Sequence, residues 1–268
     1  AQDLRRDEAL AIQRRVFDAR VEMHGADDPR TTLALAQLGQ THLEEERYAE
    51  AESLLTRALE AFRRRPPTNP SAVLDVQTDL ATLYVRRGDP ATAAALTESV
   101  LAERRKLLGE QHPAVANDLY HLGIYARRMA EFERAERLHR EALAIRRAQL
   151  PADHPSLALS LRMLSLVVSD LDRQAEAEEL QLEALDVLRR SYGENSRPVG
   201  AAYNSLAVTA ARRQQPARAL EYARSALRSL ERALDPPHPT LATTQRNLAT
   251  FLMDAGRLEE AQALIEKS

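Results

Sequence analysis

Three of the seven histidines, His112, His154 and His238, stand immediately before a proline and lie whole multiples of 42 residues apart. Imidazoles can ligate a metal, but ligands must converge, typically one helical turn apart, and the chain has no His-x-x-x-His pair. No metal site is expected. The carboxylate run Glu44-Glu45-Glu46 could in principle do acid/base work, which requires shifted pKa values in a water-excluding pocket; three consecutive acids read instead as an exposed helix end. Cysteine is absent, so thiolate nucleophiles, Cys-ligated zinc and disulfides are excluded. None of the eight glycines forms a Gly-x-x-x-x-Gly-Lys-Ser/Thr, Gly-x-Gly-x-x-Gly or Gly-x-Ser-x-Gly motif, so nucleotide binding and serine hydrolysis have no support. The expectation is a chain without catalysis and without cofactors.

The remaining chemistry is that of cations. Arg63-Arg64-Arg65 and Arg104-Arg105-Lys106 fall late in helices, where positive charge favourably faces the C-terminal end. The net charge of −3 creates no field for nucleic acid or an anionic membrane, so neither partner is expected. At 44% apolar and 29% charged residues the chain can bury a core inside a solvated shell. Its apolar content is mostly Ala and Leu, the best helix formers, with few aromatics and no Trp. The longest apolar stretches fall short of the ~20 residues a spanning helix needs. The N-terminus, Ala-Gln-Asp-Leu-Arg-Arg-Asp-Glu, lacks a signal peptide's apolar segment. A soluble cytoplasmic protein is expected.

The elements that position these residues emerge from internal self-similarity. With Asp28 as position 1, a fixed 42-residue step puts Leu38, Leu80, Leu122, Leu164, Leu206 and Leu248 at position 11. Position 12 holds Gly39, Ala81, Gly123, Ser165, Ala207 and Ala249, and position 24 holds Ala9, Ala51, Ala93, Ala135, Ala177, Ala219 and Ala261. Position 32 reads Phe17, Leu59, Leu101, Leu143, Leu185 and Leu227; position 27 reads Ile12, Leu54, Leu96, Leu138, Leu180, Tyr222 and Leu264. Positions 8, 11 and 15 form one helical stripe and positions 24, 27, 28, 31 and 32 a second, so each repeat is a pair of antiparallel helices. Small residues at 12 and 24 let the pair approach closely. Asp28-Pro29, Asn69-Pro70, His112-Pro113, His154-Pro155 and His238-Pro239 mark first helical turns, with Pro198 displaced by one residue. Gly88 and Gly256 mark the turn within a pair, while Glu46, Ala130, Asp172 and Gln214 occupy that place elsewhere, leaving it less well specified.

One such hairpin cannot bury both its apolar faces, so neighbours must stack. The boundaries read as a single array over 1–268: a partial repeat at 1–27, full repeats at 28–69, 70–111, 112–153, 154–195 and 196–237, and a truncated repeat at 238–268. Ala1 falls at position 16 and Ser268 at position 31, which suggests a segment excised from a larger protein, with open repeat ends able to stack end to end on another copy.

The columns from His112-Pro113 to Leu122-Gly123 and from Glu133 to Ile145 closely resemble the 42-residue tetratricopeptide repeat of the kinesin light chain type. The likeness covers the whole chain. It implies an all-α fold, a right-handed α-solenoid (superhelix) of antiparallel helix pairs. First helices would line a concave groove that receives extended peptides or a partner's surface. Similar arrays occur in bacterial signalling proteins, behind a serine/threonine kinase domain, an ATPase module or a DNA-binding domain. Regulation of such an enzyme is therefore the alternative to a simple binding scaffold.

The resemblance also implies which residues face the groove: first-helix positions 6, 9, 10, 13, 16 and 17, expected to be variable and polar. Candidates are Gln37, Thr78, Arg86, Asn117, Tyr120, His121, Arg127, Arg128, Arg162, Asn204, Arg212, Arg246 and Asn247. Relatives often carry paired asparagines at positions 9 and 10; here only Asn204 and Asn247 match. The six arginines offer forked donors suited to carboxylates or phosphate, so an acidic or phosphorylated partner segment is the expected ligand.

Overall fold

The computed structural model describes residues 2–235 and 237–266, with side chains from Leu10 onward. Among these residues all regular structure is helical. Two compact units divide the chain, Ala1–Ala130 and Glu131–Ser268. The first holds α1 (Gln2–His24), α2 (Pro29–Glu44), α3 (Tyr48–Arg64), α4 (Ser71–Arg86), α5 (Pro90–Leu108) and α6 (Pro113–Arg128). The second holds α7 (Phe132–Gln149), α8 (Pro155–Asp170), α9 (Gln174–Tyr192), α10 (Arg197–Arg212), α11 (Pro216–Ala233), α12 (Pro239–Asp254) and α13 (Leu258–Ile265). Within each unit every helix packs on the next in the chain, and α2 also touches α4.

Local chemistry explains where the helices begin. The side chains of Asp28 and Asp89 accept hydrogen bonds from the backbone N–H of Arg30 and Thr92 at 3.0 Å each. Where the sequence has histidine, the imidazole does the same. Nδ1 of His112, His154 and His238 accepts from the N–H of Ala114, Ser156 and Thr240 at 3.2, 3.2 and 3.1 Å, with proline following in the first turn. These recurring histidines are helix caps, satisfying donors that no helical carbonyl can reach.

The turn within each pair is more uniform than the sequence implies. All six residues at position 19 have positive φ: Glu46 (61°), Gly88 (86°), Ala130 (60°), Asp172 (61°), Gln214 (56°) and Gly256 (72°). The residue that follows, as in Arg47, Asp89, Arg173, Gln215 and Arg257, donates its N–H to a carbonyl five residues back. This closure satisfies the helix's last carbonyls and forces the left-handed conformation whether or not glycine is present.

The predicted columns form the core. Leu38, Leu80, Leu122, Leu164, Leu206 and Leu248 are all at most 5% exposed, and Ala51, Ala93, Ala135, Ala177, Ala219 and Ala261 at most 2%. Ala9 of the latter column, like the terminal Ala1 and Ser268, lies outside the described side chains. A Cβ added at Gly39 would stand 2.9 Å from Leu55 Cγ, which is the close approach that position 12 requires. Gly200 is tighter still, with Leu230 Cγ at 2.4 Å from such a Cβ. Position 27 departs from the expected interior: Leu54, Leu96, Leu138, Leu180, Tyr222 and Leu264 are half-buried and Ile12 is 59% exposed. That residue sits at the edge of its helix stripe, where cover depends on a neighbouring helix.

One interface position alternates between apolar and polar packing. Position 35 of a repeat meets position 7 of the next. Phe62 and Val76 supply an apolar contact there, whereas buried Arg104 pairs with buried Asp118 and also reaches Asp75 at 3.1 Å. Buried Arg146 donates to buried Ser160 Oγ at 2.6 Å. Each buried guanidinium therefore meets an oxygen partner, as burial of charge demands.

Candidate functional site

The first helices present two chemically different faces, one in each unit. In the first unit, a groove of about 410 Å³ between α2 and α4 is lined by Leu33, Gln37, Gln40, Asp75 and Asp79. Burial, reinforced by the charges of Asp75 and Glu44, pushes the Asp79 carboxyl up to about 6. This stretch of the face is acidic. Sequence reasoning passed over Asp79 as a site residue, although Asp75 and Asp79, four residues apart at positions 6 and 10, already pointed to it.

The arginines expected to be free donors divide into two groups. Arg86 Nη1 donates to the Leu43 carbonyl at 3.0 Å, and Arg128 Nη1 to the Val85 carbonyl at 3.3 Å. Arg212 Nη1 donates to Ser169 Oγ at 3.2 Å. All three occupy position 17 and reach position 16 of the preceding first helix. Two of them satisfy a carbonyl in a last helical turn, where a cation also meets the negative end of the helix dipole. These residues tie successive first helices together. Arg127 is half-buried.

Arg162 and Arg246 in the second unit are different: both are exposed, and neither guanidinium has a hydrogen-bond or ionic partner among the described residues, although their backbone carbonyls accept from Ser165 Oγ at 2.8 Å and Thr250 Oγ1 at 3.1 Å. Asn204 donates through Nδ2 to Thr244 Oγ1 at 3.0 Å, joining α10 to α12, and Asn247 is half-buried.

The remaining candidates belong to the first unit. Thr78 is half-buried and donates to the Leu74 carbonyl at 2.8 Å. Asn117 is exposed, while Tyr120 is only 9% exposed. His121 stands edge-on to Tyr120 with ring centroids 5.6 Å apart and lies 6.3 Å from Tyr125. Positions 9 and 10 are not uniformly solvent-facing, because Ala36, Tyr120 and Met163 are buried there. Side chains at those positions reach the gap between successive first helices, where large or apolar ones become covered.

Within each unit, ion pairs also join neighbouring repeats. Glu52 meets Arg87 at 2.5 Å, Glu136 meets Arg173 at 2.8 Å, Arg147 meets Glu183 at 2.5 Å and Arg224 meets Glu260 at 2.9 Å, each linking neighbouring repeats. The basic runs are also paired, Arg64 with Asp27 of the preceding repeat at 2.8 Å and, within one repeat, Arg105 with Glu110 at 2.7 Å and Lys106 with Glu103 at 2.7 Å. No group of three or more potential metal ligands occurs among the described residues. No helix among them is long and apolar enough to cross a membrane.

A model of the tetratricopeptide repeat matches residues 1–64, 72–148 and 157–232, and a second model of the same repeat matches 241–268. The chain belongs to the tetratricopeptide repeat family. A search of curated proteins finds no match. Solved structures similar to this tetratricopeptide repeat protein include BtubC (BKLC) from P. vanneervenii, 24% identical over 80% of this chain and 87% of that one, with a TM-score of 0.70. A putative kinesin light chain with nearly identical TPR-like repeats from Podosopora anserina is 25% identical over 75% of this chain and 94% of that one, with a TM-score of 0.66. The Pyrococcus horikoshii STAND protein PH0952, which has a tetratricopeptide repeat sensor, is 17% identical over 96% of this chain and 39% of that one, with a TM-score of 0.74. The repeats are thus of the kinesin light chain type, and the fold is the helix-pair solenoid that the sequence columns imply.

Proposed function

We propose that this tetratricopeptide repeat chain is a non-catalytic scaffold that binds polypeptide on the exposed face of its first helices, with residues 1–268 acting as one array of repeats. The observation that carries this reading is the pair Arg162 and Arg246, exposed on first helices with guanidinium groups that have no partner among the described residues, on a scaffold whose other arginines largely serve internal ties. Exposed guanidinium groups that no side chain of their own helices engages suit a carboxylate or phosphate on a partner. The acidic preference is assigned to the second unit; in the first, Asp75 and Asp79 favour a basic group. A cytoplasmic setting belongs to this reading, since a chain without cysteine needs no oxidising compartment.

A peptide array probed with the wild-type chain and with Arg162→Glu and Arg246→Glu tests this. Capture of acidic peptides should fall at least about tenfold, as loss of charge-assisted bonds requires. Unchanged capture removes the assignment.

A second reading makes the chain the sensing part of a larger signalling protein. It is supported by the fold likeness to a STAND protein with a repeat sensor. The neighbouring coding sequence decides it, since absence of any catalytic domain there rejects the reading. End-to-end self-association is a third, supported by exposed Ile12 and Met23 on α1 and Leu258 and Ile265 on α13. Light scattering over a concentration series answers it, with a constant monomer mass as the contrary result.

A further inference from the structure

Between α8 and α10 lies a cleft of about 510 Å³, walled by Leu159 of α8, Leu188 and Tyr192 of α9 and Ala201 of α10. Leu159 and Tyr192 are 39% and 50% exposed, apolar surface that the described residues leave open. Two polar groups stand out in this lining. Gln181, from α9, is 8% exposed, and its Oε1 has no hydrogen-bond partner among the described residues. Arg162, from α8, is exposed and has no ionic partner among the described residues.

A buried carbonyl oxygen without a donor keeps the full penalty of its lost hydration, and native proteins leave very few. The terminal amide torsion of glutamine is soft, so Gln181 can turn its oxygen toward a donor that enters the cleft. The volume and mostly apolar lining, with few placed polar groups, match those of small-molecule sites, roughly 300–1,000 Å³. The features are also local. The corresponding groove between α2 and α4 carries Asp75 and Asp79 instead, so the combination is not a property of the repeat. A chain laid along successive first helices would meet a recurring surface, whereas a pocket built once suits a ligand that ends within it.

We infer that this cleft binds a small amphiphilic acid of the N-acyl amino acid class. Its aliphatic chain covers Leu159, Leu188 and Tyr192, its amide N–H donates to Gln181 Oε1, and its carboxylate pairs with Arg162. The cleft shares Arg162 with the polypeptide-binding face, and Gln181 is the group that belongs to the cleft alone.

Calorimetric titration of the full chain with N-decanoylglycine, below its micelle concentration, tests this against two probes: its methyl ester, which lacks the charge, and decanoate, which lacks the N–H. The acylglycine should bind saturably at one site, with each control weaker by about tenfold. Arg162→Gln should bring the acylglycine down to the level of its ester, and Gln181→Leu down to the level of decanoate. Ala201→Phe, at an exposed position, should block the cleft while the circular dichroism melt stays unchanged. Gln181→Leu should leave peptide-array capture intact, which separates failure here from failure of the scaffold reading. Absence of saturable binding, or binding indifferent to Gln181→Leu and Ala201→Phe, overturns the inference.

Discussion

Arg86 Nη1 donates to the carbonyl oxygen of Leu43, a residue 43 positions earlier, at 3.0 Å. The contact joins the last turns of α4 and α2, and Arg128 repeats it on Val85. A guanidinium that looks like a ligand donor in sequence is here part of the stacking between repeats. Replacing Arg86 by Ala should therefore destabilise the chain by about 1 kcal/mol, the net worth of one partly exposed hydrogen bond. Arg162→Ala should change stability by less than about 0.5 kcal/mol, as at a surface position without contacts. Urea unfolding of the two variants checks the contrast; equal effects would place both arginines in the same role.

The left-handed residue at position 19 gives a second expectation. Ala130 and Gln214 hold φ of 60° and 56°, a conformation that costs an L-residue roughly 1 kcal/mol and glycine almost nothing. Ala130→Gly and Gln214→Gly should each raise the unfolding midpoint, offset in part by the greater freedom of glycine in the unfolded chain. Gly88→Ala should lower it. Thermal melts of the three variants report the signs directly.

Arg104 and Asp118 are buried against each other between α5 and α6. Arg104→Leu would leave Asp118 without its buried cation, a loss of about 3–5 kcal/mol. The double change Arg104→Leu with Asp118→Ala restores the apolar packing seen where Phe62 meets Val76, and most of that stability should return. A double-mutant cycle in urea measures the coupling. Additive losses would show that the pair does not act as a unit.

Asp79 yields a pH-dependent expectation. Burial and the nearby carboxylates of Asp75 and Glu44 raise it from 3.8 to about 6, so the folded chain holds this proton more tightly than the unfolded chain. Stability should consequently fall as pH rises from about 4 through 6. Asp79→Asn removes that loss. It should stabilise the chain at pH 7 by about 1 kcal/mol after solvent screening is allowed for, with little gain at pH 4. Melting temperatures of both proteins at the two pH values decide it, a gain equal at both being the contrary outcome.

The sequence carried the fold because the leucines of position 11 and the alanines of position 24 are one-residue solutions to a single packing problem, repeated without interruption. The turn at position 19 was hidden, since only Gly88 and Gly256 advertise a conformation that closure of the helix end imposes on all six residues. The resemblance names position 17 as groove-facing, yet it does not reveal that a side chain as long as arginine reaches back to the carbonyl of the preceding first helix. Gln181 had no signal at all: it sits in a second-helix stripe, among positions that read as core, and only its neighbours show that its oxygen lacks a donor.

Hydrogen exchange on the chain, free and saturated with a peptide selected from the array, tests the scaffold reading most directly. Amides of the first helices α8, α10 and α12 should gain protection on binding, with α9 and α11 unchanged on their outer, ion-paired surfaces. Protection confined to the second helices would contradict the account.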